Sequence, residues 1–261
     1  MMNDFDLITH SFPDEISIFP IADVHLGAIE HAEDEWQSFM NKLLASDSYA
    51  VLAGDLLNNS VRTAGFTNPY DEKIRPREAK RLMVEYLSPI KERILCVTTG
   101  NHERRSLKDD DQDLTYDICS KLDIEHLYRE NIAFMAISVG TRNYNGKPNN
   151  TYTFAVTHGT GGGQTGASVN RNERFSTAID GLDCFISAHV HKGTISKPSK
   201  IVLDVQNHCV SVKSYVVVSC VSWLNYGGYA AQKMLLPAQV CDPQKLTLSA
   251  KRSDKRILTS W

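Results

Sequence analysis

The chain is expected to fold as an α/β protein, and three observations predict it. Short apolar runs alternate with segments whose apolar residues recur at helical spacing. Residues able to hold metals or move protons follow those runs directly, the edge where α/β sheets carry their ligand sites. No repeat, low-complexity tract or linker interrupts the pattern, so residues 1–261 are expected to form one domain.

The elements follow in order. Ile16 to Ala22 is an apolar run ending at Asp23, a buried strand delivering its end to a site. Trp36, Phe39, Met40, Leu43 and Leu44 mark a helix over 33–45, and Tyr49 to Ala53 the next strand, ending at Gly54-Asp55. The following polar stretch, with Asn58, Asn59, Thr63, Gly65, Asn68 and Pro69, is too long for a simple connector. Pro76 suits the first turn of a helix over 77–91. Ile94 to Thr98 is a strand ending at Gly100-Asn101-His102-Glu103, and 113–122 a helix. Strands over 132–139 and 151–157 flank Asn145-Gly146, a loose hairpin. Beyond His158 a glycine-rich loop leads to a helix over 169–179, then to a strand at 184–187 that ends near His189. From Gly193 onward β-branched and aromatic runs dominate, so the last third is expected to be mainly β.

Bulk properties narrow the function. A hydrophobic share of 42% and no run long enough for a membrane span predict a soluble chain without a membrane partner. A net charge of -3 argues against nucleic-acid binding driven by global charge, though not against a local basic groove. The six cysteines form no C-x-x-C pair, which disfavours a thiolate zinc site or disulfide framework, and Met1 to His10 lacks the apolar core of a signal peptide. A cytoplasmic location is expected.

Five segments concentrate the chemistry: Asp23-Val24-His25, Gly54-Asp55, Gly100-Asn101-His102-Glu103, His158-Gly159 and His189-Val190-His191. With His102 and Glu103 set aside, they offer two carboxylates, four imidazoles and one amide, a set suited to two adjacent divalent ions. In extended backbone, side chains two apart share a side, so Asp23 with His25, and His189 with His191, can each converge on one ion. Asp55, leaving a strand through a glycine, can lie between two ions. Imidazole and carboxylate without thiolate suit manganese, the expected ion, or iron, zinc or nickel, better than calcium. His102, adjacent to Asn101, is expected to face substrate as an imidazolium that protonates a leaving oxygen, with Glu103 orienting it or raising its basicity.

In this order, the segments resemble the D-x-H, G-D, G-N-H-[DE], H and G-H-x-H blocks of the calcineurin-like metallophosphoesterases, particularly small stand-alone bacterial or phage members. Ala188 replaces the usual glycine before the last pair, and Glu103 the commoner aspartate, though the protein phosphatase branch also uses glutamate. The resemblance implies a β-sandwich of two mixed sheets flanked by helices, in αββα layers. It also implies two metals: Asp23, His25 and His191 on one, Asn101, His158 and His189 on the other, Asp55 bridging, and His102 as the acid. A metal-bridging hydroxide would attack phosphorus in line.

The substrate class stays open. A phosphodiester, nucleic acid or cyclic nucleotide, is favoured because an acid matters most for a poor leaving group and because arginines flank the site. Among Arg62, Arg75, Arg77, Arg81, Arg104, Arg105, Arg171 and Arg174, the substrate-binding candidates are Arg104 and Arg105, next to the catalytic block. The stretch after His191 leaves little room for the DNA-capping domain of related repair nucleases. A phosphomonoesterase acting on protein or metabolite is the alternative, and a non-catalytic binding protein the third reading. The glycine-rich loop over 158–166 either cradles an anion or only positions His158. A homo-oligomer is compatible with the sequence.

Overall fold

The computed structural model describes residues 4–61, 72–141, 146, 149–161, 166–232, 234, 236–237 and 243–261. Arg62, Thr63, Gly65, Asn68, Pro69, Asn145, Gly162, Gly163, Gln164, Thr165 and Cys241 lie outside the described residues.

The chain opens with β1 (Leu7–Phe12), β2 (Ile16–Ile21), α1 (Glu33–Leu44), β3 (Tyr49–Ala53), α2 (Pro76–Leu87) and β4 (Ile94–Thr98). It continues through α3 (Glu103–Asp110), α4 (Leu114–Lys121), β5 (Tyr128–Arg129), β6 (Ile132–Val139), β7 (Asn150–Thr157), α5 (Gly166–Ser176) and β8 (Cys184–Ser187). The last third holds β9 (Thr194–Ser196), β10 (Ser199–Asp204), β11 (Cys209–Ser214), β12 (Val216–Ser219), a short α6 (Gly228–Gln232), β13 (Lys245–Leu248) and β14 (Ile257–Ser260).

Two six-stranded mixed sheets result, ordered β1-β6-β7-β8-β12-β9 and β14-β13-β2-β3-β4-β5. In the second, β2, β3, β4 and β5 run parallel, β13 joins β2 antiparallel, and β14 joins β13 antiparallel. One continuous core lies between the sheets. Ile18 and Ile21 of β2, Leu52 of β3 and Val97 of β4 share it with Met135 and Ile137 of β6 and Ile186 of β8. Along β6 burial alternates strictly, the period of a strand with one face on the core.

Helices cover the outer faces. Phe39 of α1 meets Phe19 of β2 edge-on at 5.5 Å between ring centroids, and Trp36 packs against Trp223. On the other sheet, Ala155, Phe185, Tyr215 and Val217 form a smaller cluster, with Phe175 of α5 tilted against Phe185. Strand β8 is therefore buried on both faces, which explains its unbroken apolar run. No helix among the described residues is long and apolar enough to cross a membrane.

Most expected elements occur within a few residues of their predicted bounds. Strand β1 and helix α3 are additional, and the helix expected over 77–91 ends at Leu87, with a 3-10 turn following over Ser88–Arg93.

Candidate metal centre

The parallel strands deliver the site residues at their C-terminal ends. Asp23, Asp55 and Asn101 follow β2, β3 and β4, while His158 and His189 follow β7 and β8. The two sheets thus meet over one cluster. Gly54 and Gly100 let the Asp55 and Asn101 turns touch: a Cβ on Gly54 would lie 2.5 Å from the Gly100 nitrogen, and one on Gly100 would strike the Asp55 carboxylate. Gly54 also has φ +82°, a region costly for other residues.

The paired ligands do not lie on extended backbone as expected. Asp23, His25, Asp55, His189 and His191 all have left-handed φ, between 48° and 71°. Such conformations cost about 1–3 kcal/mol each and persist where the surroundings impose them. His189 and His191 turn toward different partners, while Asp23 and His25 stay together.

The first group comprises Asp23, His25 and His191. Asp23 Oδ1 lies 3.7 Å from His25 Nε2 and 3.3 Å from His191 Nε2, and the two Nε2 atoms are 3.2 Å apart. The second comprises Asn101, His158 and His189. Asn101 Oδ1 is 3.0 Å from His158 Nε2 and 2.7 Å from His189 Nδ1. Asp55 Oδ2 stands between the groups, 3.2 Å from His158 Nε2 and 3.9 Å from His25 Nε2. Asp23, His25, Asp55 and His158 are buried, whereas Asn101 is exposed, so the cluster opens toward solvent on that side.

Backbone contacts aim these donors inward. His158 and His189 place their far ring nitrogens on the carbonyls of Ala53 (2.8 Å) and Gly161 (2.7 Å), which leaves His158 Nε2 and His189 Nδ1 facing the centre. Asp23 Oδ2 accepts the His189 N–H and Asp55 Oδ1 the His102 N–H, so each carboxylate keeps its other oxygen for the cluster. Asp23 Oδ1 has no hydrogen-bond donor although buried. A buried anionic oxygen without a donor is costly unless a cation answers it. The donor set and this orphaned oxygen therefore fit divalent metal ions.

Electrostatics agree. Burial pushes the Asp23 carboxyl up, but the imidazoles of His191 and His25 outweigh it and hold it below the carboxylate range. Asp55 is lowered likewise, with His158 and His102 outweighing burial. Burial works against charge on His158, yet Asp55 beside it raises the imidazole to about 10.

Glu103 does not orient His102 as expected. His102 Nδ1 is held by the Asn58 carbonyl at 2.6 Å, and Nε2 receives a hydrogen bond from Arg105 at 3.0 Å. Burial, with His25 and Arg105 adding to it against Asp55, lowers this imidazole to about 3, so it is neutral here rather than an imidazolium. Glu103 does not touch it. As the first residue of α3, Glu103 points inward and accepts the backbone N–H groups of Asp55 (3.1 Å), Leu57 (2.9 Å) and Gly100 (3.1 Å). It staples two site turns together. Burial and the nearby Asp55 raise its carboxyl to about 7.

Of the two arginines, only Arg105 joins the site. Arg104 is tied to the Glu130 carbonyl and to Asn131 Oδ1, away from the cluster. Arg81 pairs with Glu78 and Glu85 on its own helix. In the glycine-rich loop, Gly161 serves as the His189 anchor and the Thr160 N–H goes to Asn172, so the described part supports the ligands.

No protein-family model and no curated protein sequence matches the chain. Solved structures similar to it include a Streptococcus pneumoniae protein described as a predicted phosphoesterase, with 10% identity, 94% of this chain and 97% of that chain covered, and a TM-score of 0.37. The inner-membrane-complex anchor of Plasmodium is also similar, at 10% identity, 94% and 84% coverage and a TM-score of 0.40. A cold-active protein tyrosine phosphatase has 11% identity, 99% and 80% coverage and a TM-score of 0.36.

Sequence reasoning missed Asn58, Asn59 and the anchoring carbonyls. Asn59 Nδ2 donates to the His102 carbonyl at 2.8 Å and contacts Ser106. Both asparagines follow Gly54-Asp55 closely, the one signal available. Carbonyl roles leave no mark on residue type.

Proposed function

We propose that the chain is a binuclear-metal-dependent phosphoester hydrolase acting on phosphodiesters. The observation that carries this reading is a pair of ligand groups sharing Asp55, with lone pairs turned inward by backbone contacts on the far atoms. Asp23, His25 and His191 would hold one ion and Asn101, His158 and His189 the other. When bound, the ions supply an activated water and neutralise the phosphoryl oxygens.

The protein's own residues do the rest. The Asn58 carbonyl keeps the His102 Nδ1 proton in place and leaves Nε2 facing the site. Arg105 occupies that Nε2 in the resting arrangement. An incoming phosphate draws the guanidinium onto its own oxygens, and its negative charge makes the imidazole more basic. His102 can then take a proton from solvent at Nε2 and pass it to the departing alkoxide, the step that matters most for a diester with a poor leaving group. Nucleic acid and cyclic nucleotides are the diesters proposed as substrates.

The test is hydrolysis of mono- and bis-(p-nitrophenyl) phosphate after chelation and addition of manganese, zinc or nickel. Metal-stimulated turnover, abolished in Asp55→Ala, is expected, with the diester preferred. Absence of stimulated turnover on every phosphate ester by the folded chain would remove the enzyme reading in favour of a binding protein. Preference for the monoester would make it a phosphomonoesterase.

A further inference from the structure

Strands β10 and β11 form a separate two-stranded ribbon that pairs with neither large sheet. Its base is closed by the Tyr215 N–H on the Pro198 carbonyl. The ribbon's two faces differ in chemistry. One carries Lys200 and Lys213, directly opposite each other in register. Lys200 Nζ reaches the Ile179 carbonyl at 2.8 Å, and Lys213 Nζ the Asp183 carboxylate at 3.2 Å. At the ribbon's base the polar face is thus turned toward the body of the protein.

The other face is aliphatic and points to solvent. Ile201 sits opposite Val212 and Leu203 opposite Val210, and Val205 continues the row into the turn. These five side chains are 66–79% exposed. An isolated hairpin is marginal in water, and β-branched residues alternating with polar ones specify a surface that is half covered. Among the described residues, nothing covers this face.

We infer that this ribbon face is a homodimer interface, the aliphatic row of one chain packing on the same row of a second copy about a two-fold axis. A two-fold interface must be complementary to itself, which a row without charges satisfies and which offers nothing to select a different, charged partner. Area supports the same occupant. At about 100 Å² per aliphatic side chain, five bury about 500 Å² on each copy. Two copies together reach about 1,000 Å², the lower bound for a specific interface. The same patch left bare is at the upper range for monomers. Such a dimer is modest in affinity and concentration-dependent.

Sedimentation velocity of the full chain across micromolar concentrations tests it. The wild type is expected to move from monomer to dimer, while Ile201→Asp with Val212→Asp stays monomeric, association weakening by roughly a hundredfold or more as a charge enters the row. Circular dichroism and phosphoesterase turnover of the variant, both expected to be unchanged, show that the fold is intact. Val212→Ser is the milder companion, expected to weaken the dimer partially. A wild type that remains monomeric throughout overturns the inference and leaves the row to another chain or to a segment of its own. A dimer that both variants retain overturns it in favour of another surface.

Discussion

Strand β8 carries a carboxylate before its first residue and an imidazole just beyond its last, and the two ends of the strand are built on opposite rules. At the start, Asp183 is saturated: Oδ2 accepts the Thr153 N–H at 3.0 Å and Lys255 at 2.8 Å, while Oδ1 faces Lys213. At the other end, His189 joins a cluster in which Asp23 and Asp55 each have one oxygen satisfied by backbone and the other aimed at imidazoles. Both kinds of carboxylate are held below the ordinary range. The difference is what lowers them. Fixed ammonium and amide donors make a structural anchor, whereas titratable imidazoles make a site that can exchange its protons for another cation.

That distinction can be broken or sharpened experimentally. The largest effect is expected in metal affinity as a function of pH. His158 shares a proton with Asp55 until its raised value of about 10, so an ion must displace that proton. Affinity should therefore fall about tenfold per pH unit for each proton released as pH drops below that value. Calorimetry in buffers of different ionisation enthalpy at pH 8 should show proton release on manganese binding; no release would place the metal elsewhere.

Glu103→Gln comes next. The amide nitrogen cannot accept where a carboxylate oxygen did, so at least one of three backbone N–H groups loses its acceptor. Turnover should fall about 10–100-fold, as for other supports of metal ligands. Unchanged turnover would reduce Glu103 to packing.

Arg105→Met should raise KM for the diester and lower turnover by about tenfold, the scale of one charge-assisted hydrogen bond. Arg104→Met should leave both within about twofold, because its contacts lie on Glu130 and Asn131. Equal losses in the two variants would undo the separation drawn between these neighbours.

Asp183→Asn should leave turnover intact and cost about 1–3 kcal/mol of stability at neutral pH. The Asp183 carboxyl is depressed because Lys255 and the Thr153 N–H outweigh burial. Its contribution is therefore full above the unfolded value near about 4 and disappears as pH falls through the folded value. Chemical denaturation of both proteins at pH 7 and pH 3 reads this directly: the gap should be full at the first and narrower at the second.

Much of this architecture was legible in the residues. Apolar runs before Asp23, Asp55, Asn101 and His189 gave β2, β3, β4 and β8, since strands buried on both faces are nearly continuous in hydrophobicity. Helix α3 was not legible, because Glu103 to Asp110 contains one large apolar residue, Leu107, and the buried positions are Glu103 and Ser106. It is held by polar contacts with the Asp55 and Asn58 turns, which no periodicity encodes. Strand β1 pairs in parallel with β6, far along the chain, so its partner left no local signal. Ligand identity in the site was readable from residue type and order. The work of Glu103 and of the carbonyls of Asn58, Ala53 and Gly161 was not, because backbone partners are invisible until the chain is folded.

The left-handed φ angles at Asp23, His25, Asp55, His189 and His191 have a further consequence for how this scaffold can change over generations. At each of these positions glycine is the relaxed occupant and asparagine a tolerable one, while alanine inherits the strain without the chemistry. Losing a ligand to glycine would thus relieve backbone strain as it removes the chemistry, and a descendant freed from catalysis would drift toward glycine and asparagine at these five sites. Their occupancy would act as a fossil record of the reaction, still legible after the histidines and aspartates had gone.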